Sequence, residues 1–245
     1  MIHIQTIPET ASTNADMLIM AAEGAPEGQW LRAERQTSGK GRMGREWASP
    51  AGNLYASGLV RLRPTDPPAP TLAFVAAVAL ENHLRHVAPD VLFQIKWPND
   101  VLVDGAKVSG ILLERAGDAV VIGIGVNLAS HPDLADRKTT SLTALTGDMF
   151  DPNLFLLGLA GRFAETLDLW RIDGLRPILS QWATRAHPTG TSLSVSLPDG
   201  NRIEGLFDGL TDAAALRLRL SDGEVRILHA GDVFLLDASV SNEHD

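Results

Sequence analysis

Residues 71–87 follow the pair Pro67-Pro68 and read as a helix that is apolar nearly all round. Such a helix has no face to give to water, so other elements must cover it on more than one side. Its longest uninterrupted apolar run, Leu72 to Leu80, is nine residues, about half the length a bilayer span requires. The cover must therefore come from the rest of the chain. Of 245 residues, 44% are hydrophobic and 21% charged, which is ordinary for a globular chain with a real core. At ~150 residues per domain, the length fits one large domain with a small one.

Around that helix the patterning predicts alternating elements. Ile2, Ile4 and Ile7 alternate with polar residues as a first strand, and Ser12-Thr13-Asn14 opens a helix running to Glu23 and closed by Gly24. Strands are expected at 29–36, 54–62, 91–96, 101–103, 107–115 and 119–127, with Asp104-Gly105 and Gly117-Asp118 as turns. Helices return at 152–171 and 174–185. From Gly190 the texture becomes short strands separated by Asp199-Gly200, Asp208-Gly209 and Asp222-Gly223, the spacing of a small all-β barrel. The expected division is 1–186, then 190–237, with 238–245 as a polar tail.

Composition narrows the chemistry. With no cysteine, disulfides, thiolate metal sites and a cysteine nucleophile are excluded. The N-terminus lacks the basic and apolar regions of a secretory signal, so a cytoplasmic location is the default. The net charge of −9 argues against general binding to DNA or to an anionic membrane. Yet residues 32–46 hold five bases against two acids, a local +3 that suits a small anion. Lysine is scarce: there are only Lys40, Lys96, Lys107 and Lys138.

Three segments carry candidate chemistry. Gly39-Lys40-Gly41-Arg42-Met43-Gly44 matches G-x-G-x-x-G, but Arg45-Glu46-Trp47-Ala48-Ser49-Pro50 cannot form the helix that a dinucleotide fold places next. What remains is a loop whose backbone can approach an anion, with Lys40, Arg42 and Arg45 adding positive charge. Those like charges should repel one another until an anion arrives. Lys96-Trp97-Pro98-Asn99-Asp100 is either ordinary turn chemistry or, through Asn99 and Asp100, a holder for Mg²⁺ on nucleotide phosphates. Lys107, on the strand beyond the Asp104 turn, should return its ammonium to that end. Gly123-Ile124-Gly125-Val126-Asn127 ends a buried strand, where glycine is costly unless something must approach the backbone closely. The seven histidines show no metal-binding spacing.

Ser12-Thr13-Asn14, the Gly39–Trp47 loop, Lys96–Asp100, Lys107 with Gly110, and Gly123–Asn127 together resemble the ordered motif set of the biotin protein ligases, over about residues 1–185. The chain departs from that pattern at Lys40, where the family has arginine; charge is kept and a planar bidentate donor is lost. The resemblance implies an α/β (α+β) fold of the class II aminoacyl-tRNA synthetase/biotin synthetase type, a mixed sheet with packed helices, ending in an SH3-like barrel. It implies ATP, biotin and Mg²⁺ as ligands and a lysine of a biotin carboxyl carrier protein as acceptor, reached through biotinyl-5′-AMP. Ser12, Thr13, Asn14, Gln36, Gly39 and Gly110 would then face biotin, with Arg42 and Lys107. Arg42, Arg45, Trp47, Asn99, Asp100 and Asn127 would face ATP. Lys107, Arg42 and Arg45 would carry the activation.

Two rival classes stay in view. A lipoate or octanoate transferase shares the scaffold, but the octanoyl type needs a cysteine. A biotin-sensing DNA-binding repressor needs an N-terminal winged helix, whereas here the first strand begins at Ile2. The oligomeric state is open, and a homodimer is compatible with the sequence.

Overall fold

The computed structural model describes residues 2–236; the predicted tail 238–245 lies outside them. Two sheets organise the chain. The first has seven strands: β1 (His3–Thr10), β2 (Gln29–Gln36), β3 (Leu54–Arg61), β4 (Gln94–Lys96), β5 (Asp100–Val103), β6 (Ala106–Ala116) and β7 (Ala119–Val126). Their order is β1-β2-β3-β7-β6-β5-β4, parallel only between β1 and β2. The β1–β2 connection is α1 (Thr13–Ala22), the crossover a parallel pair needs.

Each face of this sheet has its own cover, as the alternation of side chains requires. Trp30, Val60, Val120 and Ile122 belong to the large core that contains the buried helix α2 (Leu72–Val87). That helix packs against α4 (Pro152–Asp173) and α5 (Leu175–Ala183). Leu31, Leu59 and Val121, one residue out of phase, pack on the other face against Met17 and Ala21 of α1. Burying α2 thus takes the sheet on one side and two helices on the other.

Four local expectations change. Strand 91–96 shortens to β4, because Leu92 points into solvent, 82% exposed. A short helix α3 (Leu142–Thr146) went unpredicted; Ser141 caps it by accepting from the Ala144 amide, and Gly147 closes it at φ +81°. The C-terminal strands are β8 (Ser192–Ser196), β9 (Arg202–Leu210), β10 (Leu216–Arg219), β11 (Val225–Leu228) and β12 (Asp232–Leu235). Asp208-Gly209 is not a turn but lies within β9, where the register slips by one residue and Gly209 takes φ +85°. Lastly, the expected barrel is an antiparallel sheet ordered β11-β10-β9-β8-β12, with β11 and β12 as its two ends. This sheet shares its core with the first: Phe207 packs edge-on to Trp182, which packs on Phe74.

No helix of the described residues is long and apolar enough to cross a membrane.

Candidate active site

The α1 face of the seven-stranded sheet carries three glycines side by side. Gly110 of β6 pairs with Gly125 of β7, and Gly123 lies two residues back. Each missing side chain is replaced by a residue from elsewhere. A Cβ on Gly123 would lie 2.4 Å from Asn14 Oδ1, and one on Gly125 would lie 2.6 Å from the Trp47 indole. At Gly110 the neighbours are the end of Lys107, 3.0 Å, and Trp47 again, 3.1 Å. The close approach expected at 123–127 is therefore made by the chain's own Asn14 and Trp47.

Above these glycines is a cavity of about 430 Å³, within the range of small-molecule sites. Every residue assigned above to biotin or ATP lines it except Gly39. Gly39 is buried instead beneath the loop, against the carbonyl of Trp47 and the hydroxyl of Ser49.

One end of the cavity is neutral and polar. Thr13, buried at the start of α1, gives its amide (2.9 Å) and hydroxyl (3.1 Å) to Gln36 Oε1. Ser57 of β3 lies 2.8 Å from Thr13 Oγ1 and 2.6 Å from Asn14 Oδ1, and Asn14 donates to Glu114 at 2.7 Å. Ser12 sits at the N-cap of α1 without capping it, so its side chain is uncommitted there.

Two lysines meet one acid in the middle. Asp100 is cross-strand from Gly110, and its carboxylate is 2.6 Å from Lys107 Nζ and 3.1 Å from Lys96 Nζ. Burial alone would raise the Asp100 carboxyl, but Lys107 and Lys96 hold it far below the usual carboxylate range. Burial also pulls the Lys107 ammonium below the ordinary lysine value, against the pull of Asp100. Lys107 further lies 5.3 Å from the centre of the Trp47 ring, within cation–π range. Lys107 is thus a largely buried, paired ammonium.

At the far end, the positive loop has already found its anion. Arg42 opens a short helical turn (Arg42–Gly44), Arg45 follows it in extended backbone, and the two reach Asp232 of β12, at 3.5 Å and 2.6 Å. Arg42 also donates to Gly231 O (3.1 Å) and Asn99 Oδ1 (3.4 Å). Lys96 donates to the carbonyl of Val233. The expected mutual repulsion of these charges is thus relieved within the molecule. Asn127 is buried, its amide donating to Thr140 O, so it holds the 128–140 loop against the cavity wall.

The assignment of Mg²⁺ to Asn99 and Asp100 needs correction. Asp100 already balances two ammonium groups, and Asn99 spends its amide on Ile111 O (2.6 Å) and its oxygen on Arg42. Residues that sequence reasoning missed are Ser57, Glu114 and Asp232. Nothing local marks them; they enter through strand pairing and through the second sheet.

Comparison with known proteins agrees with this geometry. Residues 8–127 match the Biotin/lipoate A/B protein ligase family, and residues 194–236 match the Biotin protein ligase C terminal domain. The biotin–[acetyl-CoA-carboxylase] ligase of Paracoccus denitrificans is 38% identical over 239 residues, covering 93% of this chain and 98% of that protein. The enzyme of the same name from Mycobacterium tuberculosis is 34% identical, over 94% of this chain and 88% of its own. Among solved structures, the biotin protein ligase of Aquifex aeolicus in complex with biotin and ATP superposes with a TM-score of 0.84 at 26% identity, covering 96% of this chain and 98% of that one.

Proposed function

Because the chain belongs to the biotin protein ligase family, we propose that it activates biotin with ATP as biotinyl-5′-AMP and transfers it to a lysine of a biotin carboxyl carrier protein. The observation that carries this reading is the order of chemistry along one cavity. A neutral hydrogen-bonding end (Thr13, Asn14, Gln36) is followed by a buried ammonium (Lys107) and then by paired guanidiniums (Arg42, Arg45). A molecule that is polar at one end, carries a carboxylate at the other and meets a polyphosphate there fits that order.

In the first half-reaction a biotin carboxylate oxygen attacks the α-phosphorus of ATP, and the bond to the β-phosphate breaks to release pyrophosphate. An anion attacks a polyanion, so preorganised positive charge is the main lever. Lys107 is the group we assign to bridge carboxylate and α-phosphate; Asp100 keeps its ammonium charged against the cost of burial. Arg42 and Arg45 exchange Asp232 for phosphate oxygens. Trp47, resting on Gly125, covers the adenine, with Asn127 and Gly110 on the wall behind it. A magnesium ion supplied with ATP would offset phosphate charge, and Asn99 and Asp100, already bonded to Ile111, Arg42, Lys96 and Lys107, would have to give up those partners to hold it.

Ser12, Thr13, Asn14 and Gln36 bind the ureido ring. Such a site rejects a fatty acid because its polar groups would be left unpaired. In the second half-reaction the carrier's lysine amine attacks the acyl carbon and AMP leaves, so no nucleophile is needed from this chain. We assign the catalytic unit to residues 1–186, and residues 190–237 to a smaller unit that closes the arginine end through Asp232. The acidic balance favours a protein partner over DNA, which a gel-shift at low salt checks.

The test is pyrophosphate release without any carrier. It should need biotin and ATP together, with lipoate and octanoate at least about a hundredfold poorer. Equal turnover with octanoate would overturn the reading.

A further inference from the structure

Ser57 and Glu114 have no part in the reaction as set out above, yet Asn14 is held between them. Ser57 of β3 and Leu112 of β6 are the cross-strand neighbours of Gly123 on either side, and Asn14 fills the space over that glycine. Its amide nitrogen faces β6, 2.7 Å from Glu114 Oε2 and 3.4 Å from the Leu112 carbonyl oxygen. Its oxygen faces β3, 2.6 Å from Ser57 Oγ. A carboxylate and a carbonyl only accept, so the amide has one favoured orientation, N–H toward Glu114.

That orientation decides each proton after it. Thr13, Asn14 and Ser57 are all buried, so the bonds among them are made with their own protons. Asn14 Oδ1 only accepts, and the Ser57 hydroxyl has one proton, which goes there. Ser57 Oγ also lies 2.8 Å from Thr13 Oγ1. Having spent its own proton, it takes the one from Thr13. The longer Thr13–Gln36 hydroxyl contact, 3.1 Å, yields its proton to this shorter one, and Gln36 Oε1 keeps the Thr13 amide as donor at 2.9 Å. Thr13 Oγ1 and Gln36 Oε1 are thus left side by side on the cavity wall as two acceptors without a proton between them. Unpaired acceptors are costly until an N–H joins them.

We propose that Glu114 is a positioning residue: through Asn14 and Ser57 it sets the direction of the hydrogen bonds at the neutral end of the cavity. Thr13 and Gln36 then present an acceptor pair that takes a ring N–H and rejects an oxygen in its place. The proposal rests on the reading of this end as the biotin end.

The experiment uses the full chain and its Ser57→Ala, Glu114→Leu and Glu114→Gln variants. Calorimetry gives the Kd of each for biotin and for two carbamate analogues, which carry a ring oxygen in place of one or the other ureido N–H. The unmodified chain should prefer biotin over one analogue by about a hundredfold or more, because that oxygen meets two acceptors. Ser57→Ala returns the Thr13 proton. Glu114→Leu lets Asn14 turn over, so that its N–H serves Ser57 and the Thr13 proton is again free. In both, the Thr13 hydroxyl donates to the ring oxygen, and the preference should fall to about tenfold or less. Glu114→Gln, whose amide oxygen still accepts from Asn14, should keep the full preference. Ser57→Ala and Glu114→Leu break the relay at different places, so either one that folds decides. An unchanged preference, with biotin and analogue weakened alike, would make these residues merely structural and overturn the proposal, as would loss of the preference in Glu114→Gln. Biotin bound by the unmodified chain with no preference over either analogue would overturn the proposal alone. No biotin binding by the unmodified chain would overturn the reading of the cavity end, and the proposal with it.

Discussion

Replacing Lys107 by Met keeps the bulk of the side chain and removes the ammonium. At 2.6 Å from Asp100, the lost attraction is about 6 kcal/mol at an effective dielectric of ~20. Little of that appears as lost stability, because Lys96 stays 3.1 Å from the same carboxylate. Removing one partner of an isolated buried pair costs ~3–5 kcal/mol. With a second cation in place we expect the lower end or less, about 1–3 kcal/mol. At ~2–4 °C per kcal/mol for a chain of this size, the melting temperature should fall by no more than about 12 °C. The kinetic loss should be larger and confined to one step. Losing a preorganised charge aimed at a reacting phosphoryl group costs ~3–4 kcal/mol, or two to three powers of ten. Pyrophosphate release by Lys107→Met should fall by that factor, while transfer from supplied biotinyl-AMP to the carrier should fall only a few-fold. A similar loss in both steps would refute the assignment of Lys107 to activation, and would leave it as a group that simply holds the ligand.

Three further outcomes follow from the packing. Gly125→Ala places a methyl 2.6 Å from the Trp47 indole; it should weaken nucleotide binding about tenfold or more with biotin binding little changed, and an unaltered Kd for ATP would contradict the role of Trp47. Truncation after His187 removes Asp232, the Val233 carbonyl that holds Lys96, and Phe207 from the shared core; adenylation should drop by about tenfold or more, and a soluble, fully active chain would refute the need for the second sheet. His83 is buried with neither ring nitrogen partnered, and burial lowers it from 6.5 to about 4. The folded state therefore binds this proton less readily than the unfolded one, so stability is lost as pH falls from about 6.5 to about 4, by about 3 kcal/mol at most. Chemical denaturation across that range should show the fall, and His83→Leu should remove about that share of it.

What could be read from the sequence was what local residues decide. The helix read at 71–87, apolar nearly all round, had to be buried, Asp104-Gly105 had to turn, and the turn set Lys107 opposite Leu102, which brings its ammonium back to Asp100. Glycines at 123 and 125 signalled a close approach, and both are met by side chains over the α1 face. The misses depended on distant partners. Asp208-Gly209 has the composition of a turn, but the pairing of β9 with β10 absorbs it as a bulge. Leu92 looks like strand and faces solvent, because the sheet edge begins two residues later. Asn99 and Asp100 have the chemistry of metal ligands, and lose that role only because Lys96, Lys107 and Arg42 converge on them. Asp232 could not be found at all: its importance is the sheet that carries it to the arginines, and no spacing in the chain announces that.

Acyl transfer to a carrier tests the central claim most directly. A purified biotin carboxyl carrier domain, incubated with this chain, biotin and Mg-ATP, is weighed intact by mass spectrometry. The account predicts a gain of one biotinyl group on a single lysine, absent when either biotin or ATP is left out and restored by supplied biotinyl-AMP. A carrier whose mass does not change in the complete mixture, with an enzyme that is folded and binds both ligands, would contradict it.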